Sequence, residues 1–290
     1  MVKLSIHHRT SYQYQELVTL SPHRMMLRPR ESRELRLLDH GLSISPDAQI
    51  NWSHDVFGNA VATCTFFTPT ERLVVVSAAT VELTSAEWPV FDIDASAINY
   101  PFIYTDRDST DLGALALPHY ADAGGRLKTW VQGFIAGNPT DTLSLLKDIS
   151  LGIASTISYQ SREKERTQGP LHTIERGWGS CRDFAVLFVE AARSLGFGAR
   201  LVSGYLFNSD TLMTGPSHYG STHAWAEVFV PGAGWITFDP TNRRMGGANL
   251  VPVAVVRDIM HAVPVTGTFT GRSDAFLKMD VLVEVKEVKT

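Results

Sequence analysis

The sequence predicts an α+β protein in two parts. Residues 1–90 form a β-sandwich, and residues 91–290 form a core in which a cysteine-bearing helix packs on an antiparallel sheet. Three observations predict it. Before residue 90, apolar residues alternate in short runs broken by turn signals, as in half-buried strands. Between Leu127 and Leu195 they recur at three- and four-residue steps, the period of one helix face. From Ala199 to Asp239 the strand pattern returns. At 290 residues the chain is long enough for two domains, and a net charge of −4 gives no electrostatic reason to expect nucleic acid or an anionic membrane as partner.

In the first part Ile6, His8, Thr10, Tyr12 and Tyr14 alternate with Ser5, His7, Arg9, Ser11 and Gln13, giving a strand with one aromatic face. Leu35 to Ile44, Val61 to Phe67 and Leu73 to Leu83 have the same character, and Asp55 to Asn59 marks a turn. Several short strands at regular spacing favour a sandwich. Cys64 lies within one of them and reads as a packed core thiol. His7, His8 and His23 are not expected to gather round a metal, because adjacent strand residues point to opposite faces. Glu87 to Pro118, with Pro89, Pro101 and the Asp106 to Asp111 cluster, reads as an irregular connection and as the domain boundary. The N-terminus lacks the apolar run of a signal peptide and no stretch is long enough to span a bilayer, so a cytoplasmic protein is expected.

Helices follow. Leu127, Trp130, Val131, Phe134 and Ile135 make one apolar face, and Leu143, Leu146, Ile149, Ile153 and Ile157 make another after the Asn138-Pro139-Thr140 start signal. Ser161 to Gly169 is a charged loop where a substrate could enter. The third helix holds the one feature with distinct chemistry. Gly177 and Gly179 let the chain turn, Ser180 is a good N-cap, and Cys181 falls in the first turn. Phe184, Leu187, Phe188, Ala191 and Leu195 form the buried face, and Gly196 ends the helix. Free N–H groups and the positive end of the dipole favour a thiolate there and could hold a developing oxyanion. A buried structural cysteine fits this stretch equally well.

Ala199 to Phe207, His223 to Val230 and Trp235 to Asp239 read as strands, with a mobile loop at Asn208 to Thr222. A hairpin through Pro231 to Gly234 brings His223 and Asp239 to the same end of the sheet. They share a face only if the connection holds an odd number of residues or one strand bulges, so one of the two is expected. His223 could still be a packed strand histidine, and Asp239 an Asx-turn residue before Pro240. Together with Cys181 they are the parts of a thiol acyl-transfer site, in which His223 takes and returns the proton and Asp239 fixes its tautomer.

The blocks G-S-C-R-D-F-A, T-H-A-W-A-E-V-F-V and G-W-I-T-F-D-P-T-N resemble the transglutaminase-like superfamily, whose papain-related core serves transglutaminases, peptide N-glycanases and many bacterial proteins. H-H-R-T-S-Y-Q-Y, M-L-R-P-R from Met26, D-V-F-G-N from Asp55, V-V-R-D from Val255 and a closing strand from Phe276 to Val288 are similar to one bacterial branch of it. The resemblance implies a papain- or transglutaminase-like core with Cys181 as nucleophile, His223 as base and Asp239 as orienting carboxylate. It implies no metal or organic cofactor. Asp183 matches an acidic position of the bacterial motif, where it either caps the first helical turn or meets substrate. Trp178, Ser180 and Trp225 are candidates for the oxyanion or substrate region, with core packing the favoured reading of the two tryptophans. Papain-type enzymes place a glutamine upstream of the cysteine as an oxyanion donor. Six residues before Cys181 this chain has Glu175, which leaves the backbone N–H of Cys181 as the one donor in view.

The implied activity is attack on a peptide or side-chain amide. Resolution by water makes a cysteine peptidase or amidase, the preferred expectation, and resolution by an amine makes a transglutaminase. A binding module that keeps the fold without catalysis is a second class. A metal hydrolase built on His218, His223 and Asp239 is a third, and it leaves Cys181 unexplained. The expected partner is a peptide or protein substrate.

Overall fold

The computed structural model describes residues 1–161, 166–208 and 221–288. Two sheets form the sandwich. The larger has Val2–Leu20 at its centre, flanked on one side by Thr70–Leu83 and then Leu35–Ser45. On its other side lie Phe276–Glu287 and, near its end, Phe269–Thr270. The smaller sheet runs in the order Val265–Thr266, His23–Met25, Ala60–Phe66, Ala48–His54. Tyr14, Val18, Leu73 and Val75 of the first meet Met25, Ala62, Cys64 and Phe66 of the second in a closed apolar layer.

The even-numbered face of Val2–Leu20 is the buried one, as the alternation predicts. Its later half packs inside the sandwich, whereas Leu4 and Ile6 join the core around the cysteine helix. The tail differs from the expected division at residue 90. Phe276–Glu287 lies antiparallel to the first strand from Leu4↔Glu287 to Tyr14↔Phe276, so it belongs to the N-terminal sheet and not to the part that contains the cysteine.

The second sheet, wholly antiparallel, has the order Arg244–Met245, Gly234–Asp239, Ser221–Val230, Ala199–Leu206, Leu250–Val256. The helix Cys181–Ser194 packs on it, and Thr142–Thr156, Pro170–Arg176 and Arg126–Gln132 surround that helix. Every residue of the cysteine helix from Asp183 to Arg193 is buried. The buried charges of Glu190 and Arg193 are paired at 2.7 Å. Glu190 also accepts the N–H groups of His119 and Tyr120, and Arg193 donates to the carbonyls of Leu115, Ala199 and Arg257. Such pairing is what a buried ion pair requires.

Some elements depart from the sequence expectation. The acidic cluster read as irregular is a helix, Asp106–Leu112: Thr105 accepts from the N–H of Asp108, and acids fill the first turn. Gly133 stops the next helix at Gln132, so Phe134 and Ile135 lie beyond it. Asp141 caps the helix after it, accepting from the N–H of Ser144 at 2.7 Å. The helix Pro170–Arg176 and the edge strand Leu250–Val256 carry no periodicity long enough to single them out.

The motif residues near Arg30 and Asn59 have a structural role. The fully buried side chain of Asn59 donates to the carbonyl of Val255 at 2.8 Å and accepts from its N–H at 2.9 Å, imitating a strand partner. Asp55 and Arg30 hold the same amide at 2.7 and 2.6 Å. This clamp joins the sandwich to the outer strand of the second sheet. Asn59→Ala would orphan both Val255 groups and is expected to lower stability by about 3 kcal/mol. Urea unfolding that shifts by less than ~0.5 kcal/mol would show the clamp to be dispensable.

A second link is His8, which bonds Tyr205 Oη at 3.0 Å and Thr10 Oγ1 at 3.1 Å. Burial, with His7 beside it, pulls its pKa down to about 4 from 6.5. Between those values the unfolded chain takes up a proton that the folded chain refuses, so stability falls as pH drops through that window, by up to about 3 kcal/mol. His8→Gln should be less stable at neutral pH yet flatter in this range. An unchanged slope in pH-dependent unfolding would place the proton elsewhere.

Candidate active site

Ser180 and Asp183 set the position of Cys181 through a reciprocal capping box. One oxygen of Asp183 accepts the N–H of Ser180 at 2.7 Å and its hydroxyl at 2.8 Å, and the other accepts the N–H of Gln168 at 2.6 Å. Both residues are buried. Their side chains are thus committed to the helix start and to the segment leading into it. Gln168 also donates to the carbonyl of Trp178. The Trp178 ring is partly exposed, with the Arg176 guanidinium 4.9 Å from its centre.

The hairpin supplies the other two groups. Val230 pairs with Gly234 across a connection of three residues, the odd number that shared parity demands. The register Ala226↔Phe238 carries on to set Asp239 opposite Trp225, diagonal to His223 on the same face. His223 Nε2 and Asp239 Oδ2 are 2.8 Å apart, both side chains being almost fully buried. The other ring nitrogen is left for Cys181, whose thiol is hydrogen-bonded to His223 and to the N–H of Ala224. Cys181 is the part-buried member of the three.

Asp239 also makes the Asx turn that its Asp-Pro sequence suggests. Its Oδ1 accepts the N–H groups of Thr241 and Asn242 at 3.1 and 3.3 Å, while Asn242 Nδ2 donates to Oδ2 at 2.7 Å. Asn242 is a part of the site that sequence reasoning missed, although an Asn three residues after an Asp-Pro turn start is a usable signal.

Trp225 is fully buried, its ring stacked near His223 at 6.1 Å and packed with Val202, Leu206, Leu250 and Val255. Its role is packing. Glu175 stands outside the site, paired with Arg126 on the exposed side of its helix. Cys64 is a core thiol beside Met25, as expected. His218 and most of the loop expected at Asn208 to Thr222 lie outside the described residues, as do residues 162–165 of the loop before the cysteine. Among the described residues no cluster of three or more His, Cys, Asp or Glu has the geometry to hold a metal ion.

The electrostatics follow from these contacts. Burial raises the Cys181 pKa, but the hydrogen bond and charge of His223, the Ala224 N–H and the nearby Arg182 together bring it below its ordinary value. Burial lowers His223, yet Asp239 and the sulfur outweigh it and hold the imidazole well above its usual range. Asp239 is held low against burial by His223 and Asn242. A lowered thiol beside a raised imidazole describes a thiolate–imidazolium pair. Iodoacetamide should therefore alkylate Cys181 at mildly acidic pH at least ~10-fold faster than Cys64, whose thiol burial pushes up to about 11. Equal, slow labelling of the two in a peptide-mapped time course would contradict the ion pair.

Two family models match the chain: the Bacterial transglutaminase-like N-terminal region over residues 4–82, and the Transglutaminase-like superfamily over residues 128–240. An uncharacterized protein of Mycobacterium leprae is 27% identical, the match covering 98% of this chain and 99% of the relative. Another from Mycobacterium tuberculosis is 27% identical over 96% of this chain and 90% of its own length. Among solved structures, a protein of Cytophaga hutchinsonii, provisionally described as a cysteine protease, shares the fold with a TM-score of 0.75 at 22% identity, the match covering all of this chain and 91% of that one. By these matches the chain resembles the transglutaminase-like superfamily over its cysteine-bearing core and the bacterial transglutaminase-like N-terminal region over its sandwich.

Proposed function

We propose that the protein is a thiol acyl-transfer enzyme acting on peptide or side-chain amides, with water as the usual acceptor, and hence a cysteine peptidase or amidase. The observation that carries this reading is the buried chain from Asp239 through His223 to the thiol of Cys181, a part-buried residue at a helix N-terminus.

In the first half-reaction the Cys181 thiolate attacks the amide carbon, forming a C–S bond as the carbonyl electrons move to oxygen. The oxyanion collapses and the C–N bond breaks. His223, as imidazolium, protonates the departing nitrogen, leaving a thioester and a neutral imidazole. In the second, His223 removes a proton from water as its oxygen attacks the thioester, and the thiolate departs with the imidazolium restored beside it. Asp239 stays ionised throughout and steadies the positive ring. The N–H of Cys181 faces the oxyanion in both halves. No metal or organic group is needed at any step.

The test is mass spectrometry of glutamine-containing peptides incubated with the wild-type protein and Cys181→Ala, with and without a primary amine. Cleaved or deamidated peptides that require Cys181 are the expected result. Amine adducts that require it would make the protein a transglutaminase, and a product pattern identical in Cys181→Ala would end the acyl-transfer reading. Asp239→Asn should keep the fold and lose roughly 10²-fold or more in rate through a misoriented ring.

A further inference from the structure

Attack on an amide puts charge on oxygen, and a single backbone N–H is a sparse partner for it. Glu175, in the upstream position that a donor could occupy, is exposed and paired with Arg126. Another group fills the gap. Tyr159 belongs to a short strand, Ser158–Tyr159, that lies parallel to Trp178–Gly179, with Tyr159 level with Gly179. The N–H groups of Ser158 and Gln160 donate to the carbonyls of Gly177 and Gly179, both at 2.8 Å, so this strand is bonded directly to the turn that delivers the cysteine. The Tyr159 ring stands edge-on to Phe184, centroids 6.3 Å apart, and Phe184 lies one turn below Cys181 on the same helix face. Its base is thus fixed on the cysteine helix, and it is part-exposed rather than sealed in the core.

We infer that the Tyr159 hydroxyl is the second oxyanion donor, completing with the Cys181 N–H the hole that receives the carbonyl oxygen. This assignment rests on the acyl-transfer reading above and deepens it.

The electrostatic surroundings of the phenol agree. Burial first, then the charges of Cys181 and Asp239, push its pKa up to about 12, so the hydroxyl keeps its proton at neutral pH. A protonated phenol can donate. The Ser161 hydroxyl also bonds to it. In the transition state the O–H would turn from this resting environment toward an oxygen carrying nearly a full charge, a stronger interaction than any it makes with the ground-state carbonyl.

Two electrophiles separate this role from a merely structural one. Acylation by p-nitrophenyl acetate passes through a tetrahedral oxyanion and releases p-nitrophenolate as the thioester forms. Alkylation by iodoacetamide displaces iodide at carbon with no oxyanion, so it reports only on the thiolate. Tyr159→Phe keeps the ring against Phe184 and removes the donor. The expected result is a loss of roughly 10²-fold in acylation rate, with the alkylation rate and its pH profile unchanged. Unchanged acylation would overturn the assignment. An equal fall in both rates would also overturn it, because the hydroxyl would then be acting on the thiolate or on the fold. Failure of the proposed function looks different: Cys181 of the wild-type protein would then react with neither reagent faster than Cys64 does.

Discussion

A buried negative charge governs the layout of this site. Asp239 is 1% exposed, and a lone carboxylate there would cost several kcal/mol of desolvation. Four donors offset that cost: His223 Nε2, Asn242 Nδ2 and the N–H groups of Thr241 and Asn242. Each one constrains something else. The two N–H groups require a tight turn directly after the strand, as Pro240 permits. The imidazole requires the hairpin register that brings residue 223 diagonal to residue 239. Once Nε2 is committed to Asp239, the other ring nitrogen is presented to Cys181. The shape of the turn, the strand register and the ring orientation all serve one carboxylate.

The sandwich bears on this arrangement through the sheet. His223 stands level with Gly204 on the neighbouring strand, and Gly204 in turn with Pro252 on the outer strand. A Cβ at Gly204 would come within 2.1 Å of the Val251 carbonyl and 2.8 Å of the Trp225 ring, so the three strands approach closely just beside the histidine. The outer strand is held from the far side by Asn59 on Val255, and the middle one by His8 on Tyr205. The N-terminal motif residues are therefore buttresses of the sheet that carries His223. This gives the sandwich a physical connection to the site without any of its side chains entering it.

Much of this was legible in the sequence because the relevant signals are local. The cap at Ser180, the helical period after Cys181 and the hairpin parity each depend on a few neighbouring residues, and all three stand in the structure as read. The misses share the opposite property. Tyr159 and Asn59 act across the fold, through pairings with Gly179 and Val255 that no periodicity encodes. Phe276–Glu287 alternates like any strand, and nothing in that alternation says that its partner is the first strand of the chain. The acidic run after Thr105 departs from the sequence expectation for a different reason. Charged residues suggest a solvated loop, but behind a threonine cap they suit the first turn of a helix.

The sequence suggests that the helix dipole activates Cys181, yet the buried carboxylate of Asp183 occupies the same positive end, two residues into the helix, and accepts the N–H of Ser180. An anion there opposes a thiolate nearby. What draws the sulfur below its ordinary pKa despite burial is first His223, then the Ala224 N–H and Arg182. The helix start accordingly places the sulfur and the hairpin ionises it. Asp183 and Asp239 are both buried carboxylates, but they serve different neighbours: Asp183 accepts from Ser180 and Gln168 at the helix start, whereas Asp239 faces the imidazole of His223. That difference assigns shape to the first and chemistry to the second. The ion pair at the centre of the site then depends on the strand register more than on the helix that bears the nucleophile.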